Sequence, residues 1–145
     1  MARTDPDVAK RAEFLKQVGL FADCGKAELA LVAGKAKEIR VPSGSTIVQQ
    51  GSAGDAFYVL AEGLAYVHVD GQKVASISAG SFFGEMALID HQPRSASVTA
   101  ELPSRLLQFG EKDFPAIRAI PSVSEKVLAA MSKRLRTANQ SNQEP

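Results

Sequence analysis

The sequence lacks the residues that several common kinds of functional site require. It contains a single cysteine, Cys24, so no disulfide can form within the chain, and we expect Cys24 to be a reduced, half-buried core residue. The two histidines, His68 and His91, lie on separate segments without the spacing of metal ligands, and no Ser-His-Asp arrangement is evident. We therefore expect no metal site, no catalytic residues and no enzymatic activity.

Charge of one sign and long apolar runs are also scarce. The formal net charge is +1, which gives no basic footprint for nucleic acid and no acidic bias. The longest apolar candidate, residues 57–69, is interrupted by Glu62-Gly63 and is shorter than the ~18 residues of a membrane span. The N-terminus is charged and has no apolar core of a signal peptide. These features predict a cytoplasmic protein that binds neither nucleic acid nor membrane.

The middle of the chain is rich in short strand patterns. Alternating apolar and polar segments are separated by turn residues at roughly 8–12-residue spacing, and Asp70-Gly71 is a two-residue hairpin signal. With 45% apolar residues the chain can bury a core of ordinary domain size. The pattern predicts a mainly β fold with flanking helices, built on an antiparallel β jelly roll of about eight strands.

Helical periodicity flanks these strands on both sides. Pro6 favours the start of a first helix and Gly19 its end. Near the C-terminus, apolar residues form a stripe at helical spacing, with Val127, Leu128, Met131 and Leu135 among its members. We expect one domain, with a helical lead-in over residues 1–34, a β-roll over 35–110, C-terminal helices over 111–138 and a flexible tail over 139–145.

Residues 82–98, FFGEMALIDHQPRSASV, combine groups that suit an anion. Gly84 lets backbone N–H groups approach a ligand, and the residues after it favour a short helix whose N-terminus would suit a phosphate. Arg94 offers a bidentate guanidinium, and Ser95 offers a hydroxyl donor. Glu85 would repel a phosphate but could accept a hydrogen bond from a hydroxyl of the same ligand. Phosphate and sugar hydroxyl together describe a nucleotide.

The same residues also fit a purely structural interpretation. In that alternative, a short helix packs into the core and Glu85 forms an ion pair with Arg94. Composition and spacing leave both interpretations open.

The order of these residues resembles the phosphate-binding cassette of the cyclic nucleotide-binding domain family. The matching residues are Phe83-Gly84-Glu85-Met86-Ala87-Leu88-Ile89 and Pro93-Arg94-Ser95-Ala96-Ser97-Val98. The resemblance implies that Arg94 and Ser95 hold a cyclic phosphate and that Glu85 accepts from the ribose 2′-OH. It implies a ligand-binding set of Phe83, Gly84, Glu85, Met86, Ala87, Arg94, Ser95 and Ala96.

The resemblance also implies a function without chemistry. The chain would be a sensor that binds a cyclic nucleotide and couples binding to movement of its C-terminal helices, with Leu128, Met131 or Leu135 covering the base. Ser95 favours cAMP, while its hydroxyl leaves cGMP possible as a ligand. No cofactor is implied. The partner would be an effector protein or a fused effector domain, and the sequence does not indicate the oligomeric state.

Three other function classes are alternatives to a cyclic-nucleotide sensor. An enzyme on a jelly roll usually needs two or three histidines with a carboxylate, which this chain does not offer. A DNA-binding regulator of the catabolite-activator type would need a helix-turn-helix after the last long helix. The remaining alternative is a jelly-roll interaction module that has lost or altered nucleotide binding; the presence of Glu85, Arg94 and Ser95 argues against it.

Overall fold

Helices flank a block of eight strands, in a computed structural model that describes residues 6–130 and residue 132. The helices are α1 (Pro6–Leu15), a 3-10 turn (Gly19–Phe21), α2 (Lys26–Lys35), α3 (Glu85–Asp90), α4 (Phe114–Arg118) and α5 (121–130). The strands are β1 (Lys37–Val41), β2 (Thr46–Val48), β3 (Ala56–Glu62), β4 (Leu64–Val69), β5 (Gln72–Ser78), β6 (Phe82–Phe83), β7 (Ser97–Ala100) and β8 (Ser104–Gly110).

The strands form two antiparallel four-stranded sheets. One sheet has the order β1-β8-β3-β6 and the other has the order β2-β7-β4-β5. A tight turn at Asp70-Gly71 joins β4 to β5, and both of its residues have positive φ (52° and 83°), as a type I′ hairpin requires. The predicted antiparallel roll of about eight strands with flanking helices is confirmed.

Two apolar clusters form the core. The first joins α1, α2, α4 and α5 to the outer face of the β1-β8-β3-β6 sheet. At its centre Phe57 stacks on Phe109 with ring centroids 4.8 Å apart, and Phe21 and Phe114 pack against these two rings. The second cluster lies between the two sheets and includes Tyr58 and Phe83. The helices are therefore packed onto the roll by the same aromatic residues that form its strands.

One helix boundary and one short strand differ from the sequence expectation. The first helix ends at Leu15, not at Gly19, because residues 17 and 18 donate to carbonyls three residues earlier and tighten the chain toward the 3-10 turn. This tightening buries Val18, Leu20 and Phe21. The two-residue strand β6 was not predicted, because pairing with β3 alone defines it. Cys24 is a free cysteine of the core, as predicted, and it is buried where a half-buried residue was expected.

Candidate functional site

Arg94 is a charged side chain held in the interior of the fold. Only 7% of the residue is exposed. Its Nη1 donates to the carbonyl oxygen of Gly84 at 3.1 Å, and its Nη2 donates to the carbonyl oxygen of Ala56 at 2.6 Å. These two bonds fix the plane of the guanidinium, and they leave its other N–H groups for a further acceptor.

The backbone of Arg94 is fixed as firmly as its side chain. Its N–H donates to the carbonyl of Ser52 at 2.9 Å, and its own carbonyl accepts from Gly51 N–H at 2.8 Å. The turn between β2 and β3 thus holds the segment that carries Arg94. The same turn supports α3, since a Cβ added to Gly54 would lie 2.3 Å from the Cβ of Ala87.

Gly84 closes the other side of the arginine. Its φ of +90° lies in the left-handed region, which favours glycine. A Cβ at this position would lie 2.8 Å from Nη1 of Arg94. The turn into α3 therefore needs a residue without a side chain in order to receive the guanidinium.

These residues surround a cavity of about 460 Å³. Seven of the eight predicted ligand-binding residues line it, namely Phe83, Gly84, Met86, Ala87, Arg94, Ser95 and Ala96. The lining also includes Val48, Val67, Asp90, Gln92, Pro93 and Val98. One wall is thus the sequence motif, and the opposite wall comes from distant strands.

The opposite wall contains a row of three valines. Val67 of β4 pairs with Val98 of β7, and Val98 pairs with Val48 of β2. Because directly paired residues on neighbouring strands face the same side of a sheet, the three side chains form one apolar floor. The cavity therefore offers a cation on one side and an apolar surface on the other, as a ligand with a phosphate and a planar base would require.

Glu85 lies differently from the other predicted residues. It is the first residue of α3 and is 3% exposed. Its neighbours Gly84 and Met86 line the cavity, whereas the Glu85 side chain lies within the wall. The structure therefore places its carboxylate beside the cavity and not on its surface.

A second polar group lies behind Arg94. A smaller cavity of about 390 Å³ is lined by Asp55, Tyr58 and Arg94, among others. Burial raises the pKa of the Tyr58 hydroxyl, the Asp55 carboxylate raises it further, and Arg94 opposes the rise. Tyr58 also stacks on Phe83 at 5.4 Å. Asp55 and Tyr58 thus extend the polar surroundings of the arginine beyond the motif.

A comparison of the sequence with models of known protein families identifies the family of the chain. The model described as the cyclic nucleotide-binding domain matches residues 38–119, which is more than half of the chain. The chain belongs to the cyclic nucleotide-binding domain family. Residues 82–98 can therefore be called its cassette, and the cavity between the cassette and the valine floor is the candidate ligand site.

Individual proteins agree with the family. The chain is 40% identical over 104 residues to a cAMP-dependent protein kinase regulatory subunit of Aspergillus fumigatus, covering 70% of this chain and 25% of that protein. It is 34% identical over 131 residues to the cyclic AMP receptor protein of Thermus thermophilus, covering 86% of this chain and 61% of that one. The chain thus spans a quarter of the fungal subunit's length and less than two thirds of the receptor's.

Solved structures give the same result. The regulatory domain of Toxoplasma gondii PKA in a co-crystal with cAMP superposes with a TM-score of 0.79 at 29% identity, covering 88% of this chain and 50% of that one. The catabolite activator protein of Thermus thermophilus superposes with a TM-score of 0.74 at 33% identity, covering 84% and 60%. The fold is shared with proteins of both kinds.

The residues that sequence reasoning missed belong to two groups. In the valine floor, Val48 and Val67 belong to no motif, and Val98 ends the cassette match without being among the predicted ligand-binding residues. Asp90 is the last residue of α3 and Gln92 lies in the loop that follows it, a segment that the cassette pattern treats as variable. For Asp90, the signal available was its position between the predicted helix and Arg94.

The predicted lid is described only in part. Leu128, on α5, is 56% exposed and is absent from the residues described as lining the cavity. Met131 and Leu135 lie outside the described residues. On the same helix, Val123 and Val127 are buried against the first core cluster. Within residues 121–130, the helix thus packs on the roll through one face and exposes Leu128 on another.

A more open groove of about 630 Å³ lies beyond α3. It is larger than the candidate site, and it is lined by Leu88 and His91 of the cassette together with residues of α4 and Ser124 of α5. Met86, Ala87 and Asp90 face the candidate site, so α3 separates the two spaces. The cassette cavity of about 460 Å³ is lined by the buried Arg94, whereas this groove is not.

In the part of the chain that the structure describes, no helix is long and apolar enough to cross a membrane. The same described residues contain no group of three or more histidine, cysteine, aspartate or glutamate residues able to hold a metal ion.

Proposed function

We propose that this chain is a regulatory sensor that binds cAMP in the cavity of the cassette and acts by binding, without catalysis. The observation that carries the proposal is Arg94, a residue that is 7% exposed and whose guanidinium is held by two carbonyl oxygens at the edge of the cavity. A buried cation calls for an anion, and a cyclic phosphate supplies one with oxygens spaced for two N–H groups.

The other parts of the ligand have matching surfaces. Ser95 and the backbone around Gly84 and Ala87 would complete the phosphate contacts, and Glu85 would accept from the ribose 2′-OH after a small local adjustment. The valine floor would pack against the ribose or the base. cAMP is favoured over cGMP because Ser95 follows the arginine and because the relatives named above are cAMP proteins.

Ligand binding would act on an effector through the helices. α3 lies between the ligand cavity and the groove bordered by α4 and α5, so a shift of α3 would reach both. If α3 has two positions and the ligand binds one of them more favourably by ~1.4 kcal/mol, the ratio of the two populations changes tenfold. The effector is a separate protein or a further domain of the same protein, and its identity is a separate question.

The test is calorimetric titration of the chain with cAMP, cGMP and 5′-AMP. We expect cAMP to bind more tightly than cGMP, and both more tightly than 5′-AMP. Arg94→Ala should weaken cAMP by about 100-fold, because charge-assisted hydrogen bonds are lost and a cyclic phosphate remains without its cation. Arg40→Ala, at an exposed arginine of β1, is the matched control and should keep the parent affinity.

Two results would count against the proposal. Binding of neither cyclic nucleotide would favour the interaction-module alternative. Unchanged cAMP affinity in Arg94→Ala would remove this cavity as the site, whatever the affinity of the parent protein.

A further inference from the structure

The ligand cavity has one cationic and one anionic side chain on its described lining. Arg94 provides the cation and Asp90 the anion. Asp90 is the last residue of α3, and its Oδ1 accepts a hydrogen bond from Gln92 N–H at 2.9 Å. This local bond fixes the carboxylate where the cassette loop leaves the helix, on the same cavity as the guanidinium.

A second carboxylate strengthens the same bias. Glu85, at the other end of α3, is buried beside the cavity wall. The charges near the ligand therefore do not sum to a strongly positive site, in contrast to sites built for polyphosphates, where several cations meet. One negative charge on a ligand is matched by Arg94, and a further charge meets the carboxylate of Asp90.

Nucleotide ligands differ in this charge. A cyclic phosphate is a diester and carries one negative charge, whereas a terminal phosphate monoester carries close to two near neutral pH because its second pKa is about 6. Repulsion by a fixed carboxylate scales with the charge of the ligand. A carboxylate at this position therefore opposes the monoester more than the diester.

We propose that Asp90 is a specificity-determining residue that rejects phosphate monoesters by charge. This selection by charge adds to any selection by the shape of the cassette. It favours a monoanionic diester over a monoester even when the diester is acyclic. The inference rests on the proposed nucleotide site, and it adds a cause of selectivity that Arg94 and Ser95 do not supply, since both would also bind a monoester.

The experiment separates charge from ring closure. Asp90→Asn keeps the Oδ1 acceptor for Gln92 N–H and removes only the charge. Glu13→Gln makes the same change of net charge at an exposed residue of α1, away from the cavity. Competition against a fluorescent cAMP analogue at about pH 7.5 gives affinities for cAMP, 5′-AMP, the acyclic diester adenosine 5′-methylphosphate and uncharged adenosine.

We expect Asp90→Asn to raise the affinity of 5′-AMP relative to adenosine 5′-methylphosphate by about threefold, as for an exposed charge in water. The gain should shrink at high salt, because screening weakens an exposed carboxylate. Adenosine should bind equally to both proteins, and Glu13→Gln should change none of the ratios. A purely structural role for Asp90 would alter all four ligands together.

Equal gains for the monoester and the diester, or no change in either, would overturn the proposal. Failure of the parent protein to bind cAMP is a different result, since it would overturn the proposed function itself. The two failures are therefore read from different measurements.

Discussion

At Arg94, the guanidinium that faces the cavity also joins two parts of its wall. It bonds the carbonyl of Ala56 at the start of β3 and the carbonyl of Gly84 before α3. A lysine would keep the charge, but it lacks the planar fork that reaches both oxygens. The same side chain thus holds two parts of the wall together and provides the positive charge of the cavity, so its loss should change both the wall and the charge.

Glu85 allows a sharper test than Arg94, because two roles predict different results. If its carboxylate accepts from the ribose 2′-OH, Glu85→Gln should weaken cAMP about tenfold, as expected for a hydrogen bond to a charged group. The same substitution should weaken 2′-deoxy-cAMP much less. Calorimetric titration of both proteins with both ligands gives the coupling between residue and hydroxyl.

A structural role for Glu85 gives a different pattern. Its 3% exposure means that a change inside the wall could distort the cavity for every ligand. Equal losses for cAMP and its 2′-deoxy analogue would then assign Glu85 to the wall and would remove it from ribose recognition.

Seven of the eight predicted site residues line one cavity because they are close together in the sequence. Most of one wall of the cavity comes from residues 82–98, so a linear pattern contains it. The rest of the valine floor could not be found this way, since Val48 and Val67 meet Val98 only through strand pairing. The proximity of Asp55 to Tyr58 and Arg94 appears only in the folded chain.

Among the elements, those fixed by local chemistry were predicted most accurately. The hairpin at Asp70-Gly71 follows from residues that accept positive φ, and α3 follows from the helix formers after Gly84. Elements fixed by distant partners were less accurate. The first helix stops at Leu15 because burial of Val18 and Phe21 competes with continued helix, and a sequence pattern does not show that competition.

The contact between the β2–β3 turn and α3 gives a prediction at the scale of elements. Gly54→Ala would place a Cβ 2.3 Å from the Cβ of Ala87 and 3.3 Å from its backbone, so α3 must move. Overpacking of this kind costs about 1–3 kcal/mol. We expect lower stability and at least about tenfold weaker cAMP binding, because the displaced residues line the cavity.

Gly34→Ala is the matched control for that change. A Cβ on Gly34, in α2, would meet nothing within 4 Å. Helix propensity favours alanine there by roughly 0.8–1.0 kcal/mol. Thermal unfolding should therefore show opposite shifts for the two variants, with cAMP affinity kept in Gly34→Ala. A Gly54→Ala protein with parent affinity would show that the turn does not position α3.

For the whole molecule, the aromatic cluster predicts that helices and roll unfold together. Phe109 is fully buried, stacks on Phe57 of β3 and contacts Phe21 of the lead-in. Phe109→Ala should cost about 3–5 kcal/mol. We propose that the lead-in, the roll and the C-terminal helices form one domain. The protein should therefore unfold in a single transition, which Phe109→Ala should move as a whole to lower denaturant concentration.

Two probes can follow that transition separately. The chain has no tryptophan, and its two tyrosines, Tyr58 and Tyr66, both lie in the roll, so tyrosine fluorescence reports the strands. Far-UV circular dichroism reports the helices. The two probes should give coincident urea transitions in the parent and in Phe109→Ala. The control is Leu102→Ala, at a half-exposed turn residue, which should change the free energy of unfolding by less than about 0.5 kcal/mol. Separate transitions would show that the helices are independent of the roll.

Adjacent residues of α5 distinguish packing from ligand contact. Val127 is 2% exposed and belongs to the first core cluster, whereas Leu128 is 56% exposed. Val127→Ala should lower the free energy of unfolding by about 2 kcal/mol. Leu128→Ser should leave the unbound protein as stable as the parent. If α5 moves to cover the base, however, Leu128→Ser should weaken cAMP about threefold or more, because an apolar contact made only in the bound state is lost.

The comparison of cAMP with ribose cyclic phosphate, which lacks a base, localises that loss. Leu128→Ser should weaken cAMP and leave the base-free ligand unchanged, because only the base needs an apolar cover. Equal affinities of the parent and Leu128→Ser for cAMP would show that Leu128 is not part of a lid. A Val127→Ala protein with weakened binding of both ligands would indicate that packing of α5, and not contact with the base, sets the affinity of the site.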